Sequence, residues 1–503
     1  MFELNGQRLT LQEVADVAAG REQVSLSAAA RVRCEESRRV VEQIVAEERT
    51  VYGVNTGFGK LSDVRIEHSE LRDLQLNLVR SHSCGLGAPL SEAEARAMLL
   101  LRANVLACGY SGARPIIIDT LLAMLDRGVT PVIPEKGSVG ASGDLAPLAH
   151  LALTVIGEGE AFFRRERMSG ADALRRAGIE PVRLEVKEGL ALLNGTQAMG
   201  AVGGLALHRA QRLARVADAA GAMSLEALRG TPVAFDERIQ NVRPHPGQAE
   251  VASHLRELLR DSEIRTSHLN NDPRVQDAYS LRCMPQVHGA VRGALNHVRE
   301  IVETETGSAT DNPLVFTETG EVLSGGNFHG APLALAFDYA AIALTDLISI
   351  SERRVDRLVN PDLNEGLPPF LTPNAGTSSG FMMLQVTAVA LLSEAKVLAH
   401  PASIDNLPTD GGKEDHVSMG MTAAIKLRSI VENAELVTAI ELITGAEALE
   451  YRAPLVPGRG VKRAHEIVRS HVQRLGSDRS MSHDIQSIAD AIRRGEFDTL
   501  LTS

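Results

Sequence analysis

The chain has 503 residues, of which 44% are hydrophobic, and it carries a formal net charge of −12. This balance is typical of a globular protein with a large core, and length alone suggests about three domains. The acidic charge repels phosphate backbones, and aromatic residues make up only 3% of the chain, with no Trp, so few rings could stack on bases. The composition therefore argues against a nucleic-acid partner.

The sequence predicts no membrane-spanning segment. Its most apolar stretch, Ala331 to Ile350, contains Asp338 and Asp346, which are costly in hydrocarbon. The N-terminus lacks the basic and apolar regions of a secretory signal. We expect a soluble, cytoplasmic protein with no membrane partner. We also expect no disulfide framework and no metal site, because no Cys-x-x-Cys spacing links the four cysteines, Cys34, Cys84, Cys108 and Cys283.

Helical patterns dominate the chain. Ser91 and Glu94 form a capping-box pattern that opens an apolar run to Ala107. A second predicted helix covers about 205–228 and closes at Gly230 in a left-handed cap. Further helices are predicted over 381–400, ending before Pro401, over 421–451, ending before Pro454, and over 462–475 and 485–494 in the tail.

Strand-like segments are few. Residues 315–316 and 321–323 flank a Thr-Glu-Thr-Gly turn and predict a small hairpin rather than a sheet. We therefore expect a mainly α fold, a long-helix bundle preceded by an N-terminal loop-rich helical region. The expected divisions are 1–200 for that N-terminal region, 201–452 for the central bundle and 453–503 for a C-terminal helical tail.

A glycine-rich loop centred on Ser142 carries the clearest chemical signal. A hydrolase nucleophile elbow needs Gly-x-Ser-x-Gly, but the last position here is Asp144, whose ordinary role is to cap a helix. The common phosphate-binding and zinc-hydrolase motifs are also missing from the sequence. What remains is Ala141-Ser142-Gly143. The Gly amide nitrogen can attack the Ala carbonyl carbon, and loss of two waters then leaves an electrophilic methylidene made from the Ser side chain.

Six segments in one order, across nearly the whole chain, resemble the family of aromatic amino acid ammonia-lyases and aminomutases. These enzymes carry a 4-methylidene-imidazol-5-one group. The segments are YGVNTGFG from Tyr52, GASGDLAPL from Gly140, NGTQ from Asn194, QDAYSLRCMPQ from Gln276, GNFHG from Gly326 and EDHVSMG from Glu414.

The resemblance implies a fold, an assembly and a reaction. The expected assembly is a mainly α homotetramer whose active sites are completed by neighbouring subunits. The electrophile would form from Ala141, Ser142 and Gly143, in the N-terminal region, with no dissociable cofactor. The implied reaction is loss of ammonia from L-histidine to give trans-urocanate. The electrophile would bond to the substrate, most simply at its amine, because the amine leaves poorly and the β-proton is not acidic.

Three residues of the matched segments would act on the ring or on protons. Asn194 would hydrogen-bond the electrophilic ring, whereas Asn before Gly is by itself an ordinary turn residue. Tyr52 and Tyr279 would handle protons, with a buried hydrogen-bonded Tyr as the ordinary alternative. A Tyr that acts as a base near neutral pH needs positive charge or hydrogen bonds that lower its pKa.

Other matched residues would hold the substrate. Arg282 would clamp the substrate carboxylate through its two-pronged guanidinium, and Gln276 of the same segment would join it. Phe328 would pack beside the prosthetic ring. Taken alone, an Arg is usually a surface residue and a Phe usually a core residue.

Substrate choice would depend on His82 and Glu414. His82 follows Ser81, and this pair resembles the histidine-specific form, because an imidazole can hydrogen-bond another imidazole. Glu414 resembles the carboxylate that contacts the substrate ring or takes the β-proton, where phenylalanine-specific relatives carry an amide. Met382 is expected either to line the same pocket or to serve in plain helix packing.

One feature departs from the histidine-specific pattern. Gln usually precedes the glutamate, whereas here Lys413 precedes Glu414. Lys413 would favour the charged form of Glu414, which weakens it as a base and strengthens its hold on a positive imidazole, or it would point to solvent. This departure keeps open a tyrosine or other aromatic amino acid ammonia-lyase, or a 2,3-aminomutase.

Two readings from other classes fit less well. A lyase of the fumarase and aspartase type needs a Gly-Ser-Ser-x-Met-Pro-x-Lys loop, and the segment 376–382, GTSSGFM, continues without Pro-x-Lys. A catalytically silent helical scaffold should have lost the matched residues, which are all present. His329 and His416 lack paired ligand spacing and are expected to be structural.

Overall fold

The structure is a computed structural model that describes residues 2–270, 272 and 274–500. Helices make up 59% of the chain. The predicted mainly α fold is therefore confirmed.

The described residues contain long helices and a few short strands. The α-helices are α1 Leu11–Ala18, α2 Ala28–Ala46, α3 Leu71–His82, α4 Glu92–Ala107, α5 Pro115–Arg127, α6 Leu145–Val155, α7 Gly170–Ala177, α8 Glu188–Leu193, α9 Gln197–Ala227, α10 Glu237–Asn241, α11 Pro246–Leu258, α12 Glu263–Thr266, α13 Tyr279–Arg282, α14 Met284–Thr306, α15 Ala331–Val359, α16 Met382–Leu398, α17 Gly420–Glu450, α18 Arg459–His471 and α19 Ser482–Arg494. The strands are β1 Phe2–Leu4, β2 Val24–Leu26, β3 Leu86–Pro89, β4 Val129–Pro131, β5 Pro134–Lys136, β6 Glu160–Phe163, β7 Glu166–Ser169, β8 Leu314–Phe316 and β9 Glu321–Leu323.

Several helices begin and end close to where the sequence predicts. The capping box opens α4: the Ser91 hydroxyl accepts from the Glu94 amide, and the Glu94 carboxylate accepts from the Ser91 amide. Helices α16 and α17 lie within a residue or two of the predicted bounds, and α17 continues through Gly445. In the tail, α18 and α19 each begin three residues earlier than predicted.

The start and end of α9 correct the prediction. The helix begins at Gln197, not near Leu205, because the Asp144 carboxylate accepts from the Met199 amide at 2.8 Å and so caps the helix from elsewhere in the chain. At its other end, the left-handed residue is Arg229, with φ of 52°. Gly230 does not have a left-handed conformation, so the predicted glycine cap is wrong.

The strands go further than the predicted hairpin. Strands β8 and β9 pair antiparallel, as the sequence predicts. A three-stranded sheet in the order β4-β6-β7 was not expected. Its strands have three or four residues each, too few for a clear alternation, and β4 pairs with β6 across α6. These strands lie outside the hairpin that the sequence predicts.

Packing divides the chain into two compact units, each assembled from three segments. The first unit contains the chain up to His208, Arg299–Asp338 and Pro401–Ile425. The second contains Arg209–Val298, Tyr339–His400 and the chain from Lys426. Both units are discontinuous in sequence, whereas the division into 1–200, 201–452 and 453–503 is contiguous and stays a prediction.

Each unit has its own core. In the first unit, α4 is buried along nearly its whole length, including Arg102 and Asn104. In the second unit, buried polar contacts join long helices: Asp218 of α9 accepts from His288 of α14, and Glu441 of α17 accepts from Arg354 of α15. These contacts fix helix pairing within that unit, because an unpaired buried charge is costly.

Among the described residues, α15 alone is long and apolar enough to cross a membrane. In this structure 67% of its most apolar stretch is buried in the protein. Burial of this extent is typical of a core helix.

Candidate active site

The first unit contains a cavity of about 1070 Å³ that is open to solvent. Loops and helix ends form its walls, as is common where a rigid scaffold presents reactive side chains. The predicted site residues that line it are Tyr52, His82, Ala141, Ser142, Asn194, Phe328 and Glu414.

The loop that carries Ser142 is held by close backbone approaches on both sides. Gly140 has φ of 70°, and a Cβ atom there would lie 2.2 Å from the Ser418 hydroxyl. Gly143 has φ of 73°, and a Cβ atom there would lie 2.2 Å from the Gly195 carbonyl oxygen. Only glycine fits at both positions, so the backbone around Ser142 is compressed between two other segments of the chain.

Asp144 holds the loop around Ser142 in place through its side chain. Its side chain makes no capping bond to α6, which it precedes. Its carboxylate instead accepts from the Ser138 hydroxyl at 2.7 Å and from the Met199 amide. Complete burial raises the pKa of Asp144 to about 6. Asp144 therefore caps α9 instead of α6, the helix that it precedes. This contact connects the loop around Ser142, called the reactive loop below, to α9.

Ser142 contacts a carboxylate across the cavity. Its hydroxyl donates to Oε1 of Glu414 at 2.5 Å, and the Thr409 hydroxyl donates to Oε2 of the same carboxylate at 2.5 Å. The Thr409 amide also donates to the Glu414 carbonyl oxygen. Two hydroxyl groups thus hold Glu414. One of them is the Ser142 hydroxyl, which the cyclisation would expel as water.

Asn194 lies against the carbonyl of the reactive loop. Its Nδ2 donates to the Ser142 carbonyl oxygen at 2.9 Å, while its buried Oδ1 has no hydrogen-bond partner. Its own backbone carbonyl accepts from the guanidinium of Arg102 at 2.8 Å. The Asn194 side chain is a donor to Ser142, and its predicted contact with an electrophilic ring stays a prediction.

His82 ends α3 at the cavity wall. Its Nδ1 lies 2.9 Å from the Leu78 carbonyl oxygen, which can only accept. The proton of a neutral ring therefore lies on Nδ1, and Nε2 remains an acceptor. That atom suits the N–H group of a second imidazole.

Tyr52 lies near carboxylates. Burial raises its pKa, and the charges of Asp410 and Glu414 add to this effect, while a backbone hydrogen bond with Gly59 opposes it. Within this chain the surroundings thus favour the protonated phenol, opposite to the lowered pKa that a basic Tyr needs.

His329 and His416 stack with ring centroids 5.9 Å apart. His329 Nε2 contacts the His416 carbonyl oxygen, and its Nδ1 accepts from the Ala331 amide. The described residues contain no group of three His, Cys, Asp or Glu side chains placed to hold a metal ion.

Four predicted site residues lie in the second unit and do not line this cavity: Gln276, Tyr279, Arg282 and Met382. Tyr279 is 72% exposed, and the guanidinium of Arg282 stacks over its ring at 4.6 Å. Met382 is the first residue of α16 and is partly exposed. The role of Met382 in the pocket of Glu414 stays a prediction.

The sequence analysis missed two residues that contact the site residues. Arg102 had a detectable signal, because it is a lone charge within the apolar run Leu99-Leu100-Leu101-Arg102-Ala103 of a predicted helix. Thr409 had none, since nothing in the loop Pro-Thr-Asp-Gly-Gly indicates which side chain meets Glu414.

The fold and this site define a class of protein: a mainly α enzyme with a compressed Ala-Ser-Gly loop facing a carboxylate and an amide donor. The chain belongs to the aromatic amino acid lyase family, whose sequence model matches residues 9–470. It is accordingly a carbon–nitrogen lyase.

Individual relatives agree with this family over the full length. The chain is 56% identical to a histidine ammonia-lyase of Anaeromyxobacter sp. (strain K), with 98% of each chain covered. It is similar to the crystal structure of histidine ammonia-lyase from Trypanosoma cruzi, with 42% identity, a TM-score of 0.92, and 99% of this chain and 94% of that chain covered. It is also similar to tyrosine aminomutase from Streptomyces globisporus, with 39% identity, a TM-score of 0.94, and coverage of 99% and 98%.

Proposed function

We propose that this protein removes ammonia from L-histidine to give trans-urocanate, by means of a 4-methylidene-imidazol-5-one group made from Ala141, Ser142 and Gly143. The observation that carries the proposal is the compressed Ser142 loop, with Asn194 on its carbonyl and Glu414 on its hydroxyl. The identity of 50–56% to curated histidine ammonia-lyases supports the choice of substrate.

The residues fit the prosthetic group. Gly143 is pressed against Gly195, with no room for a side chain, and cyclisation requires its amide to meet the Ala141 carbonyl. Asn194 donates to the Ser142 carbonyl oxygen, which becomes the ring carbonyl oxygen after cyclisation. The group supplies an electrophilic carbon for the substrate amine, which no ordinary side chain offers.

The other steps fall to side chains of this chain. Asn194 stabilises negative charge at the Ser142 carbonyl oxygen through a preorganised donor. Once the Ser142 hydroxyl is expelled as water, Oε1 of Glu414 is free to take a β-proton or to hold an imidazole N–H, while Thr409 fixes Oε2. His82 accepts from the substrate imidazole through Nε2, since its Nδ1 contacts Leu78.

The active site is proposed to be shared within a homotetramer. The cavity of one chain lacks the predicted carboxylate clamp Arg282, together with Gln276, Tyr279 and Met382, although Tyr279 and Val275 are highly exposed. In this proposal the four residues come from neighbouring subunits. An exposed Tyr279 beside the partly buried Arg282, whose Nε has no partner, is suited to completing a pocket in a partner.

The mass of the purified protein and its substrate profile test the proposal. We expect an intact mass lower than the encoded mass by two waters, and fast turnover of L-histidine compared with L-tyrosine and L-phenylalanine, followed by the ultraviolet absorbance of the products. A full encoded mass would contradict the electrophile. Rapid turnover of tyrosine with histidine inert would contradict the substrate.

Subunit complementation tests the shared site. Ser142→Ala and Arg282→Met chains, each inactive alone, are co-expressed with different tags and purified through both. Because a mixed assembly contains sites with wild-type Ser142 in one chain and wild-type Arg282 in another, activity should return. A mixed assembly as inactive as its parents would contradict sharing.

A second candidate is a tyrosine ammonia-lyase or 2,3-aminomutase. Lys413 favours it, because this cation lines the cavity next to Glu414, where the histidine-specific pattern carries an amide. Analysis of β-amino products in the same substrate assay separates the mutase from the lyase.

A further inference from the structure

Arg102 is a fully buried cation beside the reactive loop. It lies in the apolar helix α4 and its side chain has no exposed surface. Burying a charge without a counter-ion is strongly unfavourable, and most buried Arg side chains pair with a carboxylate. Among the described residues, no carboxylate lies within ion-pair distance of Arg102. Burial lowers its pKa to about 10, still well above neutral, so the guanidinium stays charged.

The guanidinium is bound entirely by uncharged oxygens around Asn194. Its Nη1 donates to the Asn194 carbonyl oxygen at 2.8 Å and to Oε1 of Gln197 at 2.6 Å, and its Nη2 donates to the Ala191 carbonyl oxygen at 2.5 Å. Its Nε has no partner. These contacts join the end of α8 to the start of α9, the two helices that flank Asn194.

The same guanidinium packs against the peptide that supports Gly143. A Cβ atom at Gly195 would lie 2.6 Å from Nη1 of Arg102, and the Gly195 carbonyl oxygen accepts from the Asp144 amide at 2.7 Å. Arg102 thus contacts the Asn194-Gly195 peptide segment, and that segment contacts the reactive loop.

A buried ion pair lies near Arg102 without contacting it. Lys187 and Asp311 form this pair at 3.0 Å, so the direct partner of Asp311 is Lys187. Arg102 therefore keeps a buried positive charge that no carboxylate contacts. In a low-dielectric interior such a charge acts over longer distances than in water.

We propose that Arg102 is a positioning residue that holds Asn194 on the Ser142 carbonyl oxygen and places behind it a buried positive charge that no carboxylate contacts. Both effects favour negative charge at that oxygen, where the proposed reaction needs it. The inference rests on the proposed function. Folding alone does not account for it, since a neutral side chain would avoid the cost of burying the charge.

The first experiment removes the charge. In Arg102→Gln we expect kcat for histidine to fall at least roughly tenfold, with KM changed less than about threefold, because the substrate does not touch Arg102. Arg96→Gln is the matched control: Arg96 lies on the same helix and donates to three backbone carbonyls, but contacts none of the site residues. That control should lower Tm and leave kcat unchanged. A wild-type kcat in Arg102→Gln would overturn the inference.

A readout other than turnover is addition of cyanide, measured as a mass gain of one HCN on protein that has lost two waters. Negative charge also develops at the ring carbonyl in this addition. We expect Arg102→Gln to react at least roughly tenfold more slowly than the wild type. In the Asn194→Ala background the same substitution should slow the addition clearly less than in the wild type, because the positioning effect is lost and only the effect of the charge remains. An equal loss in both backgrounds would indicate a merely structural role and overturn the inference.

Gln197→Glu keeps the inference testable where Arg102 variants do not fold or do not lose two waters. This nearly isosteric change keeps Arg102 in place and gives it a carboxylate partner at the contact that Oε1 of Gln197 now makes. We expect a slower addition of cyanide and a lower kcat at an unchanged or higher Tm, and unchanged rates would overturn the inference. A wild-type protein that keeps its full encoded mass would refute the proposed function itself. An active wild type with an equally active Arg102→Gln would refute only the inference on Arg102.

Discussion

The two units bury polar clusters that balance their charges in different ways. In the second unit, Asp218 accepts from His254 at 2.8 Å, from His288 at 2.7 Å and from Arg292. These partners outweigh its burial and hold its pKa well below the usual range. In the first unit, Arg102 has only uncharged acceptors, and Oδ1 of Asn194 has no partner.

A second buried carboxylate in each unit shows the same difference in charge pairing. Arg354 and Glu441 bind each other, and the Glu441 carboxylate also accepts from the hydroxyls of Ser224 and Ser351. In the first unit, Asp144 has no cation among its hydrogen-bond partners, and burial raises its pKa to about 6. The cation contacts of Asp218 and Glu441 fix how helices pack in the second unit. Arg102 and Asp144, which have no ion pair, lie beside the loop where the chemistry is proposed.

The largest expected effect in the first unit belongs to Ser142. Ser142→Ala removes the hydroxyl that must leave, so we expect the full encoded mass and a loss of activity of at least about a thousandfold. Intact-mass measurement and the histidine assay check this. Ser308→Ala, whose hydroxyl donates to a carbonyl in an exposed turn, should behave like the wild type. Appreciable turnover by Ser142→Ala would refute the role of the loop.

The largest expected effect in the second unit concerns stability. Asp218→Asn leaves Arg292 and two histidines without their buried anion, so the free energy of unfolding at pH 7 should fall by about 3–5 kcal/mol. Urea unfolding at fixed protein concentration measures it. Because the pKa of Asp218 is lowered on folding, its stabilisation is complete above the unfolded value of about 3.9 and fades as the pH falls further.

Asp172→Asn is the surface control for that substitution, since Asp172 pairs with Arg175 in an exposed i,i+3 contact. Its effect on the free energy of unfolding should be much smaller than that of Asp218→Asn. A difference between wild type and Asp218→Asn that stays constant from pH 7 to pH 3 would show that the carboxylate charge is not what stabilises this cluster.

His82 is expected to affect substrate choice more than catalysis. His82→Leu removes the Nε2 acceptor, so kcat/KM for histidine should fall about tenfold or more, with a smaller loss for any phenylalanine activity. His150→Leu is the control, because His150 accepts from the Gly85 amide and does not line the cavity. Equal losses for both substrates in His82→Leu would count against His82 as the group that recognises imidazole.

The smallest expected effect belongs to Thr409. Thr409→Val removes one of the two hydroxyls that hold Glu414, so kcat should fall by a few-fold to about tenfold, with little change in KM. Thr409→Ser keeps the donor and should restore most of the activity. Failure of serine to restore it would mean that the side-chain volume of Thr409 matters, and not its hydrogen bond.

The sequence predicted local secondary structure correctly where that structure depends on residues close together in the chain. The capping box at Ser91, the hairpin at 314–323 and the long helix to Glu450 depend on residues a few positions apart. The start of α9 could not be read, because the group that caps it belongs to Asp144. The three-stranded sheet was missed for two reasons: β4 pairs with β6, which is distant in sequence, and the hairpin of β6 and β7 has only four residues in each strand.

The sequence by itself determined that the chain is mainly α and indicated which tripeptide is proposed to cyclise, because helix periodicity and the chemistry of Ala141-Ser142-Gly143 are local properties. It also identified, through the matched segments, side chains that meet at the cavity. Only the tertiary structure decided which atoms face one another: Glu414 on the Ser142 hydroxyl, Asn194 on its carbonyl, and Arg102 behind Asn194. Those contacts join residues far apart in the chain, and their geometry follows from how buried helices and tight glycine backbones pack, which no single segment specifies.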